Sequence, residues 1–284
     1  MENDMSKVIL VTGCSSGIGH CVAHGLKARG WRVFATARQS TDVERLQTEA
    51  LESVQLDVCD SLSIRSAVAT ILEQTGGRLD ALFSNAGYGL PGAVEDVSRQ
   101  ALREQFETNV FGALELTNQV LPIMRRQGHG RILYNSSVLG LVAFPYRGAY
   151  VASKFALEGL ADALRLELTG ADIHICLIEP GPILSRFRDH AYTAYQRHID
   201  TEHSPHRERY AAMEARLLKK GPAAPFTLPP EAVLKKVLHA LESSRPQARY
   251  PVTLPTYLFT VLRRLLPTRA LDTILRQAGG EGRR

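Results

Sequence analysis

Short aliphatic and β-branched runs alternate with stretches of helical periodicity from the first residues to about residue 180. The apolar runs Lys7–Thr12, Arg32–Ala37, Ser53–Asp57, Ala81–Ser84, Arg131–Asn135 and His174–Ile178 carry almost no internal charge. Strands covered by helices on both faces read this way, because neither face meets water. The periodic stretches Gly17–Arg29, Asp42–Glu49, Ser61–Gln74, Ser98–Arg126 and Gly148–Leu168 predict the covering helices. Two have polar starts: Ser61 precedes Leu62, Ile64, Val68, Ile71 and Leu72, and Ser98 precedes Leu102, Phe106 and Val110. This βαβ rhythm predicts an α/β fold, a doubly wound parallel sheet with ligands at the carboxyl ends of its strands.

Beyond residue 181 the pattern loosens. Ser185–Lys220 is polar and helix-compatible, carries Tyr192, Tyr195 and Tyr210, and ends at Gly221-Pro222. It predicts a helical substrate-side insertion, about 182–225, within one domain spanning 1–253, followed by a basic, apolar helical tail at 254–284. With 44% hydrophobic and 22% charged positions in 284 residues, disorder, collagen and coiled coil are excluded. The net charge of +5 gathers mostly at Arg263, Arg264, Arg269, Arg276, Arg283 and Arg284, too mild a surplus to call for nucleic acid. Cys14, Cys21, Cys59 and Cys176 show no CxxC spacing and are expected as free thiols of a reducing compartment. An acidic start before Val8–Val11 predicts no signal peptide, and Ile132–Tyr146, interrupted by Asn135, Ser136, Ser137 and Pro145, is no bilayer span. The expected location is the cytoplasm.

The first chemical motif is Thr12-Gly13-Cys14-Ser15-Ser16-Gly17-Ile18-Gly19, after the first strand and before the first helix. Glycines there let the backbone turn tightly and approach a pyrophosphate, whose charge the helix N-terminus stabilises. The spacing is GxxxGxG rather than GxGxxG, and a plain glycine-rich turn is the competing reading. Arg38 ends the second strand where an NAD site usually places an acid, and its planar fork, with Ser15 or Ser16 as a second donor, favours a 2′-phosphate and hence NADP(H). A solvated surface arginine is the alternative. Asp57-Val58 ends the third strand, where the Asp57 carboxylate could receive an adenine amino group or cap the next helix.

Tyr150 and Lys154, at i and i+4, share a helix face. An ammonium beside a phenol draws its pKa down from about 10, which would make Tyr150 a usable general acid. Ser137, at a strand end, can donate to the same substrate oxygen, and Asn109 lies in the long helix before it. Alone, a YxxxK spacing also describes a tyrosine packed on a lysine stem.

Together these motifs resemble the short-chain dehydrogenase/reductase family over nearly the whole chain, with its Rossmann-type fold. Thr12–Gly19 resembles that family's TGxxxGxG loop, Ser84-Asn85-Ala86-Gly87 its NNAG element, and Pro180-Gly181-Pro182-Ile183 its PG motif. The resemblance implies cofactor contacts from Gly13, Ser15, Ser16, Gly17, Ile18, Gly19, Arg38, Asp57, Val58, Asn85, Ala86, Gly87, Tyr150, Lys154, Pro180, Gly181 and Ile183. It implies a catalytic tetrad of Asn109, Ser137, Tyr150 and Lys154, in which Tyr150 is acid or base, Ser137 polarises the substrate oxygen, Lys154 binds the nicotinamide ribose and Asn109 holds a proton-relay water. Two positions depart from the pattern: Ser84 replaces the first Asn, and Ser185 stands for the usual Thr after the PG motif. Within the family the loop, Ala35–Arg38 and Tyr150–Gly159 resemble the branch of 17β-hydroxysteroid and retinol dehydrogenases. Ile178–Ile183 and Arg249–Thr253 are similar to a bacterial NADP-dependent aldehyde reductase group.

The resemblance implies reduction of apolar aldehydes or ketones, or oxidation of the matching alcohols, by a homodimer or homotetramer assembled through its long helices. A non-catalytic NADP sensor on the same fold is the alternative, though a sensor has no need of the complete tetrad. A nucleotide-sugar epimerase would need a larger C-terminal domain. His190, His198, His203 and His206 in the insertion predict a polar lid rather than a metal site, since Pro205 interrupts the only close pair. The run Tyr257–Leu266 could lie on a membrane interface, or pack on the insertion or a partner subunit.

Overall fold

The computed structural model describes residues 6–281. Seven parallel strands form one sheet in the order β3-β2-β1-β4-β5-β6-β7, comprising β1 (Val8–Val11), β2 (Arg32–Ala37), β3 (Glu52–Gln55), β4 (Ala81–Ser84), β5 (Gly130–Asn135), β6 (Ile173–Glu179) and β7 (Arg249–Pro251). The sheet reverses direction of growth between β1 and β4, which pair Ile9 with Ala81 and Val11 with Phe83. A ligand crevice forms at such a switch point, because the connections leave on opposite faces.

Side chains alternate across the pleat, so each strand feeds two cores. Val8 and Leu10 face a layer of α3 (Ser61–Thr75), α5 (Gly112–Gln127) and α6 (Gly148–Glu167), through Ile64, Leu116 and Leu157. Ile9 and Val11 face α1 (Gly17–Ala28), α2 (Ser40–Thr48) and α9 (Glu231–Glu242), through Val22, Leu46 and Val237. Neither α9 nor β7 was expected from the pattern. Strand β7 is three residues long, and its Tyr250 is buried while Arg249 and Pro251 are half-buried, too short for a periodicity to show.

The predicted single helix Ser98–Arg126 is divided. Ser98 caps α4 (Arg99–Phe106) by accepting from the Ala101 amide at 3.1 Å, but a π turn at Glu107–Phe111 separates it from α5. At the start of α3 the cap is Asp60 rather than Ser61, its carboxylate accepting from the Leu62 amide at 2.8 Å.

The insertion folds as α7 (Phe187–His198) and α8 (Arg207–Leu218), joined through Tyr195 and Tyr210 to the loop at Leu90 and Ala93. The tail forms α10 (Leu254–Leu265) and α11 (Thr268–Arg276). It does not stand apart from the domain: Phe259 and Leu275 pack on Val138, Leu139 and Val142, and Phe144 meets Phe259 edge to face at 5.6 Å. Among the described residues no helix is long and apolar enough to cross a membrane.

Candidate active site

The strand ends are tied together by polar side chains. Thr12 Oγ1, after β1, accepts from the amides of Asn85 and Ala86, each at 2.9 Å, which fixes the loop after β4. Asn85 Nδ2 donates to the carbonyls of Thr12 at 2.9 Å and Gly13 at 3.2 Å, and its Oδ1 accepts from Asn135 Nδ2 at 2.8 Å. Lys154 Nζ, reaching down from α6, donates to the Asn135 carbonyl at 2.7 Å. One continuous chain of hydrogen bonds therefore runs from the glycine loop to Lys154. Asn135 and Thr12 join the loops of the candidate site, and sequence reasoning did not single them out as individual residues.

The glycine loop forms a cradle. Gly13 and Gly17 take left-handed φ values of 70° and 60°, which favour glycine. A Cβ on Gly19 would run into the Gly13 carbonyl, and one on Gly17 would lie 2.9 Å from Ser185 Cβ. Ser16 begins α1 without a side-chain cap, and no acid occupies the first turn. The amides at that end are thus unsatisfied by the helix and lie at its positive pole, an arrangement suited to a phosphate. Ile18 and Ile183 pack on the same core. A Cβ on Gly181 would meet the hydroxyls of Thr253 and Thr256, so the chain after β6 also needs glycine for close approach. These features fit a dinucleotide.

Arg38 lies exposed at the end of β2, its carbonyl accepting from Gln55 Nε2 at 2.9 Å. The neighbouring Arg45 is committed: it pairs with Asp42 at 3.1 Å and Glu49 at 2.8 Å and donates to the Ser15 carbonyl at 2.6 Å. Asp57 accepts from the Cys59 amide at 2.9 Å and closes the turn after β3, while capping of α3 falls to Asp60. Val58 is buried beside it, its carbonyl against Gly112. Gly87 lies by the Asn109 side chain.

Ser137, Tyr150 and Lys154 converge. Ser137 ends β5 and begins a 3-10 turn, Val138–Gly140, where its Oγ accepts from the Leu139 amide at 3.1 Å. Burial pushes Tyr150 up to about 12 and outweighs the neighbouring Ser137 side chain, which lowers it. Burial also pulls Lys154 down to about 8, partly opposed by the charge of Glu158. The expected lowering of Tyr150 by Lys154 is therefore corrected. The ammonium is aimed at the Asn135 carbonyl and sits 5.7 Å from the tyrosine ring centre, so desolvation dominates and the phenol stays protonated at neutral pH.

Asn109 lies in the π turn, with its side chain anchored at both ends. Oδ1 accepts from the Tyr88 amide at 3.1 Å, while Nδ2 donates to the Tyr88 carbonyl at 2.9 Å and to Ser153 Oγ at 3.0 Å. This side chain bridges Tyr88 and Ser153. It positions the loop after β4 against the helix that carries Tyr150.

The surroundings of Tyr150 are apolar: the Phe187 ring lies 5.4 Å from it, Gly89 lies against both, and Tyr150 packs on the cluster of Val138, Leu139, Val142, Phe144 and Phe259. The insertion histidines do not converge: His198 pairs with Glu104 at 3.2 Å, His203 with Asp200 at 2.8 Å and His206 with Glu95 at 2.6 Å. Behind the site, Arg249 binds Glu158, Glu179 at 2.7 Å and Asp162 at 2.6 Å, and Glu158 in turn accepts from Ser136 Oγ. This network braces the segments on which Ser137 and Pro180 stand.

The family model for short chain dehydrogenases matches residues 7–196. The chain is 43% identical over 271 residues to the uncharacterized oxidoreductase YbbO of Escherichia coli (strain K12), covering 95% of this chain and 94% of that one. It is 36% identical over 261 residues to human (Homo sapiens) 17-beta-hydroxysteroid dehydrogenase type 1, covering 87% and 77%. Among solved structures, an actinorhodin polyketide ketoreductase with NADPH superposes with a TM-score of 0.72 at 28% identity, over 89% of this chain and 97% of that one.

Proposed function

The chain belongs to the short chain dehydrogenase family of oxidoreductases, and from that premise we propose that it is an NADP(H)-dependent reductase of apolar aldehydes or ketones, able to oxidise the matching alcohols. The observation that carries this reading is the placing of Tyr150 against the Phe187 ring and beside Lys154, whose ammonium is joined through Asn135 and Asn85 to the glycine loop. The glycine loop and Lys154 would hold NADPH, which would supply the hydride for the carbonyl carbon. Ser137 and Tyr150 donate hydrogen bonds to the carbonyl oxygen, where negative charge develops. Tyr150 then gives up its proton as the C–O⁻ bond becomes an alcohol. Burial keeps the phenol protonated, the form that reduction requires. Lys154 supplies positive charge beside the phenolate that results, and Asn109 acts as a positioning residue.

Arg38 supports NADP(H) over NAD(H), because it is the exposed cation at the end of β2 while Arg45 is engaged elsewhere. The NADPH in the ketoreductase structure and the hydroxysteroid in the human relative's name agree with this cofactor and with an apolar substrate. Exposed Phe111, Leu160 and Leu166 on the helices flanking the site fit a homo-oligomer contact. Exposed Leu254, Tyr257, Leu258, Val261 and Leu265, beside Arg263 and Arg264, fit peripheral contact with a membrane.

The test is oxidation of NADPH and NADH by purified protein across short and long aldehydes, retinal and a keto-steroid, with Tyr150→Phe as control. Turnover with NADPH that falls about 10²- to 10⁴-fold in the variant, at unchanged NADPH affinity, supports the assignment. Tight NADPH binding with no turnover on any carbonyl favours a non-catalytic NADP sensor instead.

A further inference from the structure

A second cluster of ligating side chains lies on the outer face of the helices beside the glycine loop. His20 and His24 are one turn apart on α1, so both imidazoles leave the same face. Glu49 follows the last turn of α2, and its Oε2 lies 2.6 Å from Nε2 of His20 and 2.9 Å from Nε2 of His24. The three donor atoms all lie within 4.8 Å of one another, and the two rings stand 4.5 Å apart. The carboxylate is held from behind, since Arg45 donates to its other oxygen at 2.8 Å. Its turn is held too. Ala50, in the left-handed region with φ 62°, receives a hydrogen bond on its carbonyl from Lys27 Nζ.

We propose that His20, His24 and Glu49 bind a divalent transition-metal ion of the Zn²⁺ class, which clips α1 to the end of α2. Two histidines at i and i+4 on a helix with one carboxylate from elsewhere are a three-ligand set that leaves a fourth position to water. Imidazole nitrogens suit zinc, nickel and copper, whereas calcium and magnesium demand oxygen ligands throughout. Bonds of about 2.0–2.2 Å in tetrahedral geometry put donors roughly 3.4 Å apart. The nitrogen–oxygen gaps here, 2.6 and 2.9 Å, need open by about 0.5 to 0.8 Å, which half-exposed side chains can supply. Arg45 is the outer partner that orients the carboxylate, and it links the cluster to the glycine loop through the Ser15 carbonyl at 2.6 Å. The site is independent of the proposed reductase chemistry.

The experiment uses tag-free full-length protein, stripped with a chelator and titrated with Zn²⁺ alone, and with Co²⁺ as an optical probe. The expected result is one equivalent bound, a tetrahedral Co²⁺ spectrum, and a melting temperature that rises with Zn²⁺. His24→Ala and Glu49→Gln, checked for fold by circular dichroism, should each weaken binding by more than the roughly 10- to 100-fold that loss of an outer partner costs. His20→Gln serves where either variant fails to fold. The absence of stoichiometric Zn²⁺ binding, or unchanged affinity in the folded variants, would overturn the proposal.

Discussion

Replacing Glu179 by Gln should stabilise the protein near neutral pH and leave it unchanged in mild acid. Glu179 ends β6 wholly buried, with one oxygen on Arg249 at 2.7 Å and the other without a partner. A single guanidinium faces Glu158, Glu179 and Asp162. Burial first, and then the negative charge of Glu158, push Glu179 from 4.5 to about 7 despite Arg249. Between those values the folded protein keeps a proton that the unfolded chain has lost, so stability falls as pH rises through the window. At about 1.4 kcal/mol per pH unit the loss is on the order of 3 kcal/mol. Glutamine imitates the neutral acid at every pH. Urea unfolding at fixed protein concentration should therefore find wild type and Glu179→Gln alike near pH 5, and the variant more stable by on the order of 3 kcal/mol near pH 8. A variant less stable at pH 8, or a difference independent of pH, would refute the reasoning.

Two further outcomes follow from the site. Reduction measured as kcat/KM should stay level through neutral pH and fall above about 8 as Lys154 loses its ammonium, since Tyr150 at about 12 does not limit it; a fall on the acid side of neutrality would contradict this order. Arg38→Asp should raise the KM for NADPH by roughly 10- to 100-fold, the worth of a charge-assisted hydrogen bond, and improve use of NADH; steady-state kinetics with both cofactors would show whether the preference moves.

The α/β class and six of the seven strands were legible because buried parallel strands and glycine turns leave local signatures. Tyr150, Ser137 and Lys154 converge as their spacing suggested. What was missed depends on contacts distant in sequence. The π turn exists where Asn109 is drawn to Tyr88 and Ser153, and nothing in the periodicity of Ser98–Arg126 marks it. Asn135 acts through a backbone carbonyl and one amide, a role with no spacing pattern. The direction of the Tyr150 shift was misjudged because i, i+4 spacing reports proximity to a charge but not desolvation, which is the larger effect here. Arg249 stood out only within a stretch of resemblance; its partners Glu158, Asp162 and Glu179 come from two other elements. His20 and His24 meet Glu49 only because α1 and the end of α2 pack side by side.

The most direct measurement is a single turnover with NADPH carrying deuterium at both nicotinamide C4 positions and a long-chain aldehyde, followed by mass analysis of the alcohol. The account predicts one deuterium on the carbinol carbon, formed by wild type and nearly absent with Tyr150→Phe. Alcohol without deuterium, or equal labelling by the variant, would contradict hydride transfer assisted by Tyr150.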